Sequence, residues 1–163
     1  MDNEWNVLPL AAGFGAIAGL RAFSAPAAIS RAAQMRGIDL SNTPLQFVAQ
    51  ANGAHALAAL ALGELFADKS KHIPNRTDWP SLLARAASGA LAGASIARSK
   101  KVDWWPAALT GAAVAIGTSF AGFHLRRFAG ESLHVPDRVV GLVEDAVVIG
   151  SAIALVSSLS HHK

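Results

Sequence analysis

Gly19-Leu-Arg-Ala-Phe-Ser-Ala-Pro26 sets an arginine, a serine and a proline inside an apolar run that extends from residue 8 to residue 29. An ionisable group in hydrocarbon is expensive unless it is paired or wet, so Arg21 has to find a partner or water. Pro26 removes a backbone donor shortly after it, and Ser24 can bond back to the chain. The stretch predicts a kinked or discontinuous helix, the kind that exposes backbone groups around sites inside transporters.

The rest of the chain makes a membrane the natural surrounding for that break. Charged residues are 15% and hydrophobic residues 52% of the 163, with a mean hydropathy of +0.35. A soluble domain carries about 25% charged residues, so too few are present to solvate an ordinary surface. The apolar content is mainly Ala, Gly, Leu and Val, with no Tyr, a mixture that lets membrane helices approach closely. A soluble Ala-rich all-α bundle is the competing reading, and extraction without detergent would favour it.

Five apolar segments follow, at about 8–29, 51–67, 81–97, 104–125 and 138–159. A spanning helix needs about 20 largely apolar residues, within a range of roughly 17–25. No period-two alternation of useful length occurs, so every segment reads as helix. Trp5, Trp79, Trp104 and Trp105 stand at segment ends, where interfacial aromatic belts form. The expected architecture is an all-α polytopic membrane bundle of about five transmembrane helices, forming one domain over 1–163.

With five spans, Arg31, Arg36, Arg98, Lys100, Lys101 and Lys163 share one side. Lys69, Lys71, Arg76, Arg126, Arg127 and Arg138 share the other, six against six, so the positive-inside rule does not separate them by number. Asp2 and Glu4 before the first segment, with Arg31 and Arg36 after it, lean towards an outside N-terminus and an inside C-terminus. The acidic start lacks the basic n-region of a secretory signal, so the first segment is expected to be retained.

The charges within apolar segments carry the most information. Glu64 and Asp68 are four apart, on one face of the second segment. Arg85 lies inside the third, and adjacent Glu144 and Asp145 lie in the fifth, pointing about 100° apart on a helix. Arg21 and Arg85 neutralised by Glu64, Asp68, Glu144 or Asp145 is the simplest arrangement. Such pairs could fix helix register only, or some carboxylates could face a watery pathway.

His72-Ile-Pro-Asn-Arg76 recurs as His134-Val-Pro-Asp-Arg138. Each stands between apolar helices, so 52–98 and 105–159 form a candidate helical-hairpin repeat. Proline followed by Asn or Asp suits a helix start, which makes the motif a turn whose Arg reaches the headgroups. Alternatively, Arg76 and Arg138 with His72 and His134 guard an entrance and contact an anion or headgroup.

Several function classes lack support. The net charge of +3 is scattered, with no basic helix face, so anionic lipid headgroups fit better than nucleic acid. With no cysteine, and no HxH or HxxxH spacing, neither a metal site nor another cofactor is indicated. Ser24, Ser88 and Ser119 stand in no nucleophile motif. Gly89-Ala-Leu-Ala-Gly93 reads as a helix-packing GxxxG.

Gly19-Leu-Arg-Ala-Phe23, Glu64 through Asp68-Lys69, Pro74 and Arg76, Arg85 through Gly89-Ala90, and Glu144-Asp145 resemble a family. It is the bacterial group of small membrane proteins catalogued as domain of unknown function 4126. The resemblance covers about 13–154 and implies a polytopic inner-membrane protein without an assigned activity.

The leading expectation is a non-enzymatic transporter or channel, homo-oligomeric, for a small ion or polar solute. Arg21, Glu64, Asp68, Arg85, Glu144 and Asp145 would form its polar interior. A scaffold or accessory subunit of a larger membrane complex is the alternative. A lipid-headgroup enzyme using His72 or His134 comes third.

Overall fold

The computed structural model describes residues 7–67 and 78–161. Among them are seven helices and no strand. They are α1 (Val7–Leu20), α2 (Ser24–Gln34), α3 (Gln46–Ala49), α4 (Ala51–Ala67), α5 (Trp79–Ser99), α6 (Trp104–Ser132) and α7 (Asp137–His161). The quoted stretch is the break between α1 and α2, with residues 21–23 outside either helix. Pro26, Pro80 and Pro106 each occupy one of the first three positions of a helix, where the missing N–H has no intrahelical acceptor to lose.

Small residues bring α1, α5 and α6 together. A Cβ added to Gly15 would lie 2.5 Å from the Gly111 carbonyl oxygen. One added to Gly89 or Gly93 would overlap the carbonyl of Gly111 or Ala107. At Gly19 it would overlap Thr118 and the Ala115 carbonyl. These contacts also give direction. Val7 lies beside 102–107, Gly15 beside Gly111, and Leu20 beside Gly122, so α1 runs parallel to α6. The Gly89–Gly111 and Gly93–Ala107 pairings make α5 antiparallel to both.

α2 then reverses the direction of α1. Ala33 and Arg36 share a pocket with Ser99, Lys100 and Leu159, at the end where α5 and α7 finish. That is also the end where α1 and α6 begin. α1 and α2 therefore form a V that enters the bundle and returns to its starting end, with 21–23 at the tip. α5 and α7 each pack against both arms. α4 climbs alongside α2, from α3 at the near end to Glu64 at the tip. Ser30 fixes the base of α2 by donating to the Val48 carbonyl at 2.6 Å.

This arrangement corrects the expected topology. The first apolar segment does not run through the bundle as one helix: α1 has 14 residues, about 21 Å of helix, and the chain then turns back. The near end holds both Val7 and Leu159, so the two ends of the described chain lie together rather than opposite. Of the described helices, two rather than five, α6 and α7, are long and apolar enough to cross a membrane. α5 has the length, at 21 residues, but buries Arg85, Ser88 and Ser95.

The two units of the candidate repeat hold unlike positions. α4 packs on α2 and α3, whereas α6, at the corresponding place, packs on α1 and α5. The first pentapeptide, with His72 and Arg76, lies outside the described residues. In the second, His134 adopts a left-handed φ of 52° after α6, and the Val135 N–H donates to the Ala129 carbonyl at 3.1 Å. Asp137 then opens α7, while His134 and Arg138 are exposed.

Within a core that is mainly apolar, the distribution of side chains departs from that of a water-soluble bundle in two ways. Arg21, Arg85, Glu144, Asp145 and four serines are buried. Leu109, Ile116 and Phe120 of α6 and Leu142, Val147 and Ile153 of α7 are exposed.

Candidate functional site

Breaking a helix inside a bundle leaves carbonyls at the end of one arm and N–H groups at the start of the next. Buried, each unmet group costs as much as a lost hydrogen bond or more. At this tip they are met by side chains from α4, α5 and α6.

Arg85 of α5 caps the first arm. Its Nη1 donates to the Gly19 carbonyl and, at 3.1 Å, to the Leu20 carbonyl. Its Nε donates to Ser81 Oγ at 3.2 Å, one turn away on the same helix. Ser119 of α6 adds a hydroxyl donated to Gly19 at 3.1 Å. Cations suit a helix C-terminus, where the backbone dipole is negative.

Glu64 of α4 serves the second arm. Its Oε1 accepts the Ala22 N–H at 2.8 Å and its Oε2 accepts the Phe23 N–H at 2.9 Å. Both carboxylate oxygens thus sit at the start of α2, where the dipole is positive. The same carboxylate is 4.0 Å from Arg85 Nη2, so the two caps also neutralise each other.

Arg21 points across to α7. Its Nη2 is paired with Asp145 Oδ1, and its Nη1 reaches the Glu64 main-chain carbonyl at 3.4 Å. Arg21 is 2% exposed and Arg85 6%. The tip is therefore a packed group of two arginines and two carboxylates, contributed by the turn, α4, α5 and α7.

Of the charges singled out in the sequence, Arg21, Glu64, Arg85 and Asp145 come together here. Asp68 lies outside the described residues. Glu144 turns away from its neighbour and pairs with Arg126 of α6, which also contacts Asp137 at 3.4 Å. This second network lies beyond the tip, towards the far end. Sequence reasoning weighed Ser119 only as a nucleophile and Arg126 only as a loop charge, and it passed over Ser81. Ser119 carried a usable signal: it continues the small-residue line Gly111, Ala115, Gly122 that faces α1.

A family model described as a domain of unknown function, DUF4126, matches residues 8–158. No curated protein and no solved structure matches this chain.

Proposed function

Because the chain belongs to the DUF4126 family, whose description names no activity, we propose its function from the tip: a multi-pass membrane protein that passes a small ion or polar solute through a re-entrant hairpin. The observation that supports this reading is the buried helix break, with its caps drawn from α4, α5 and α6 and its Arg21 paired with α7. Non-helical backbone at membrane depth is tolerated where protein encloses it or a cavity meets it, and transporters place substrates at such breaks.

In a bilayer, α4 to α7 cross while α1 and α2 dip from one face. α5 runs 21 residues from Trp79, about 31 Å, which matches a hydrocarbon core of about 30 Å. Trp79 at one end and Trp104 and Trp105 at the other are exposed, as interfacial anchors are. The tip lies about 21 Å from the near face, leaving a barrier of about 9 Å on the far side. Glu144 stands in that shorter barrier, and Arg126 and Asp137 lie at its far edge.

The near end, with both ends of the described residues, faces the cytoplasm of a bacterial inner membrane in this reading. Arg31 lies in the last turn of α2 and Arg36 follows it directly, and the first membrane helix usually dominates orientation. Homo-oligomerisation and contact with anionic lipids complete the proposal; the exposed apolar faces of α6 and α7 would meet lipid or a second copy.

Flux of small ions into proteoliposomes tests it. Wild type should conduct, and Glu64→Gln and Arg21→Ala should alter the rate at least tenfold while remaining folded. Full activity in both variants would remove the tip from the pathway. A second reading is favoured by the tip's closure: a scaffold subunit whose ion pairs fix helix register. A stoichiometric partner retained after mild detergent extraction, with no flux, would establish that instead.

A further inference from the structure

A cavity of about 510 Å³ opens at the near end, between the stops of α2 and α5 and the last turn of α7. Its wall has two parts: Ala33, Ile38 and Leu159 are apolar, while Arg36, Ser99 and Lys100 are polar and bring two cations. Asp39 also lines it, and its Oδ1 accepts the Ser41 N–H at 2.9 Å and the Ser41 hydroxyl at 2.5 Å. Among the described residues, neither Arg36 nor Lys100 has an ion pair or a side-chain hydrogen bond. We propose that these two cations hold an anionic phosphate group, carried by a lipid headgroup or by a soluble phosphate ester. The inference deepens the anionic-lipid part of the proposed function and rests on it, independently of transport.

The fold itself does not ask for cations here. α2 and α5 each stop at a left-handed residue, Arg36 at φ 60° and Lys101 at φ 57°. Main-chain bonds close both stops: the Gly37 N–H donates to the Ala32 carbonyl at 2.9 Å, and the Val102 N–H to the Ala97 carbonyl at 3.1 Å. Carbonyls that a cation could cap are thus served by the backbone, and glycine fits such a stop best. Arg36 is strained in its backbone and engages no side chain among the described residues, which points to a partner outside the chain. Charge and position select that partner. Arg31, Arg98 and Lys101 join Arg36 and Lys100 at the same two helix ends, against Asp39 and Asp103. In the proposed bilayer placement this end lies at headgroup level, with Trp104 and Trp105 exposed and Arg98 over the Trp104 ring at 6.0 Å. An arginine fork and a lysine both suit phosphate oxygens, and each adds attraction to an anionic surface. The apolar part of the wall suits the glycerol and first acyl carbons of a lipid.

Melting of the full chain in maltoside micelles, which contain no phosphate, tests this. Phosphatidylglycerol or glycerol phosphate should raise the wild-type Tm by about 3–6 °C at ten times its Kd. Phosphatidylcholine, whose choline covers the phosphate charge, should not. Arg36→Gly should melt at least as high as wild type in plain micelles, because glycine relieves the left-handed stop, yet lose most of the rise. Lys100→Gln should also lose most of it, and Arg127→Gln, the same loss of charge at the far end, should keep it. A rise with the lipid alone assigns a headgroup site, and one with glycerol phosphate alone a site for a soluble ester. No rise with either, a rise that Arg36→Gly and Lys100→Gln retain, or one that Arg127→Gln loses equally, overturns the inference. A chain that needs detergent but shows no rise keeps the membrane reading and loses the cavity. One that carbonate releases from membranes, yet that glycerol phosphate stabilises through Arg36, keeps the cavity and rejects the membrane reading.

Discussion

Arg85 is the residue that holds the two arms of the hairpin in one register, since one guanidinium meets both the α1 carbonyls and the Glu64 carboxylate. Arg85→Ala leaves the Leu20 carbonyl without its donor and the buried Glu64 carboxylate without its cation, so a loss of about 3–5 kcal/mol is expected in reversible unfolding in detergent. Arg85→Lys keeps the charge but not the fork and should recover only part of that loss. A scan in which Lys equals Arg would show that charge alone matters at this position. Arg21, Glu64, Arg85 and Asp145 were legible in the sequence because each is an expensive charge in an apolar run. Their pairing was not legible: four carboxylates were available, and helix phase separates Glu144 from Asp145 without saying which meets Arg21. The hydroxyl of Ser119 and the backbone of Ala22 and Phe23 carry no charge, and cost arguments on side chains pass over them.

Among the helices, close approach is concentrated on one line of glycines. Gly89→Ala and Gly111→Ala place a methyl group against a facing main-chain carbonyl and should each cost about 1–3 kcal/mol through helix separation. Gly117→Ala and Gly150→Ala, where nothing lies within 4 Å, should be neutral or slightly stabilising. Equal effects at all four would mean that intrinsic helix propensity, not packing, sets the outcome. At the end of α5, Lys101 sits at φ 57°, with the Val102 N–H bonded to the Ala97 carbonyl at 3.1 Å, the left-handed stop that glycine fills best. Lys101→Gly should therefore stabilise by about 1 kcal/mol, read as a raised Tm. The GxxxG of α5, the break at 21–23 and the proline-marked helix starts were all readable locally. The reversal of α2 was not. Hydropathy records which segments are apolar and carries no sign for direction; here the direction shows in the end of α2 sharing a pocket with Ser99 and Leu159, far along the chain.

For the whole molecule, the described ends define a topology that labelling can check cleanly, because the chain has no cysteine. Ser41→Cys and Asp103→Cys should react with an impermeant maleimide from one side of the membrane, and Ser132→Cys from the other. Reactivity of Ser41→Cys and Asp103→Cys from opposite sides would reject the re-entrant V. The composition foretold a chain made for hydrocarbon, and the buried charges with exposed apolar helix faces agree in kind with that reading. The count of crossings was not readable, since a V of two short helices and one kinked span have the same hydropathy. The V also sets an order of events during synthesis. Its tip leaves the ribosome first, yet its ligands arrive 43, 66, 100 and 124 residues later, as measured by the Arg21–Glu64, Gly19–Arg85, Gly19–Ser119 and Arg21–Asp145 contacts. In the proposed re-entrant arrangement, a nascent hairpin with bare backbone ends cannot stay in lipid until α4 to α7 are in place. It must wait at the surface and be drawn in last, so a chain arrested before α4 should be washed off membranes that retain the finished protein.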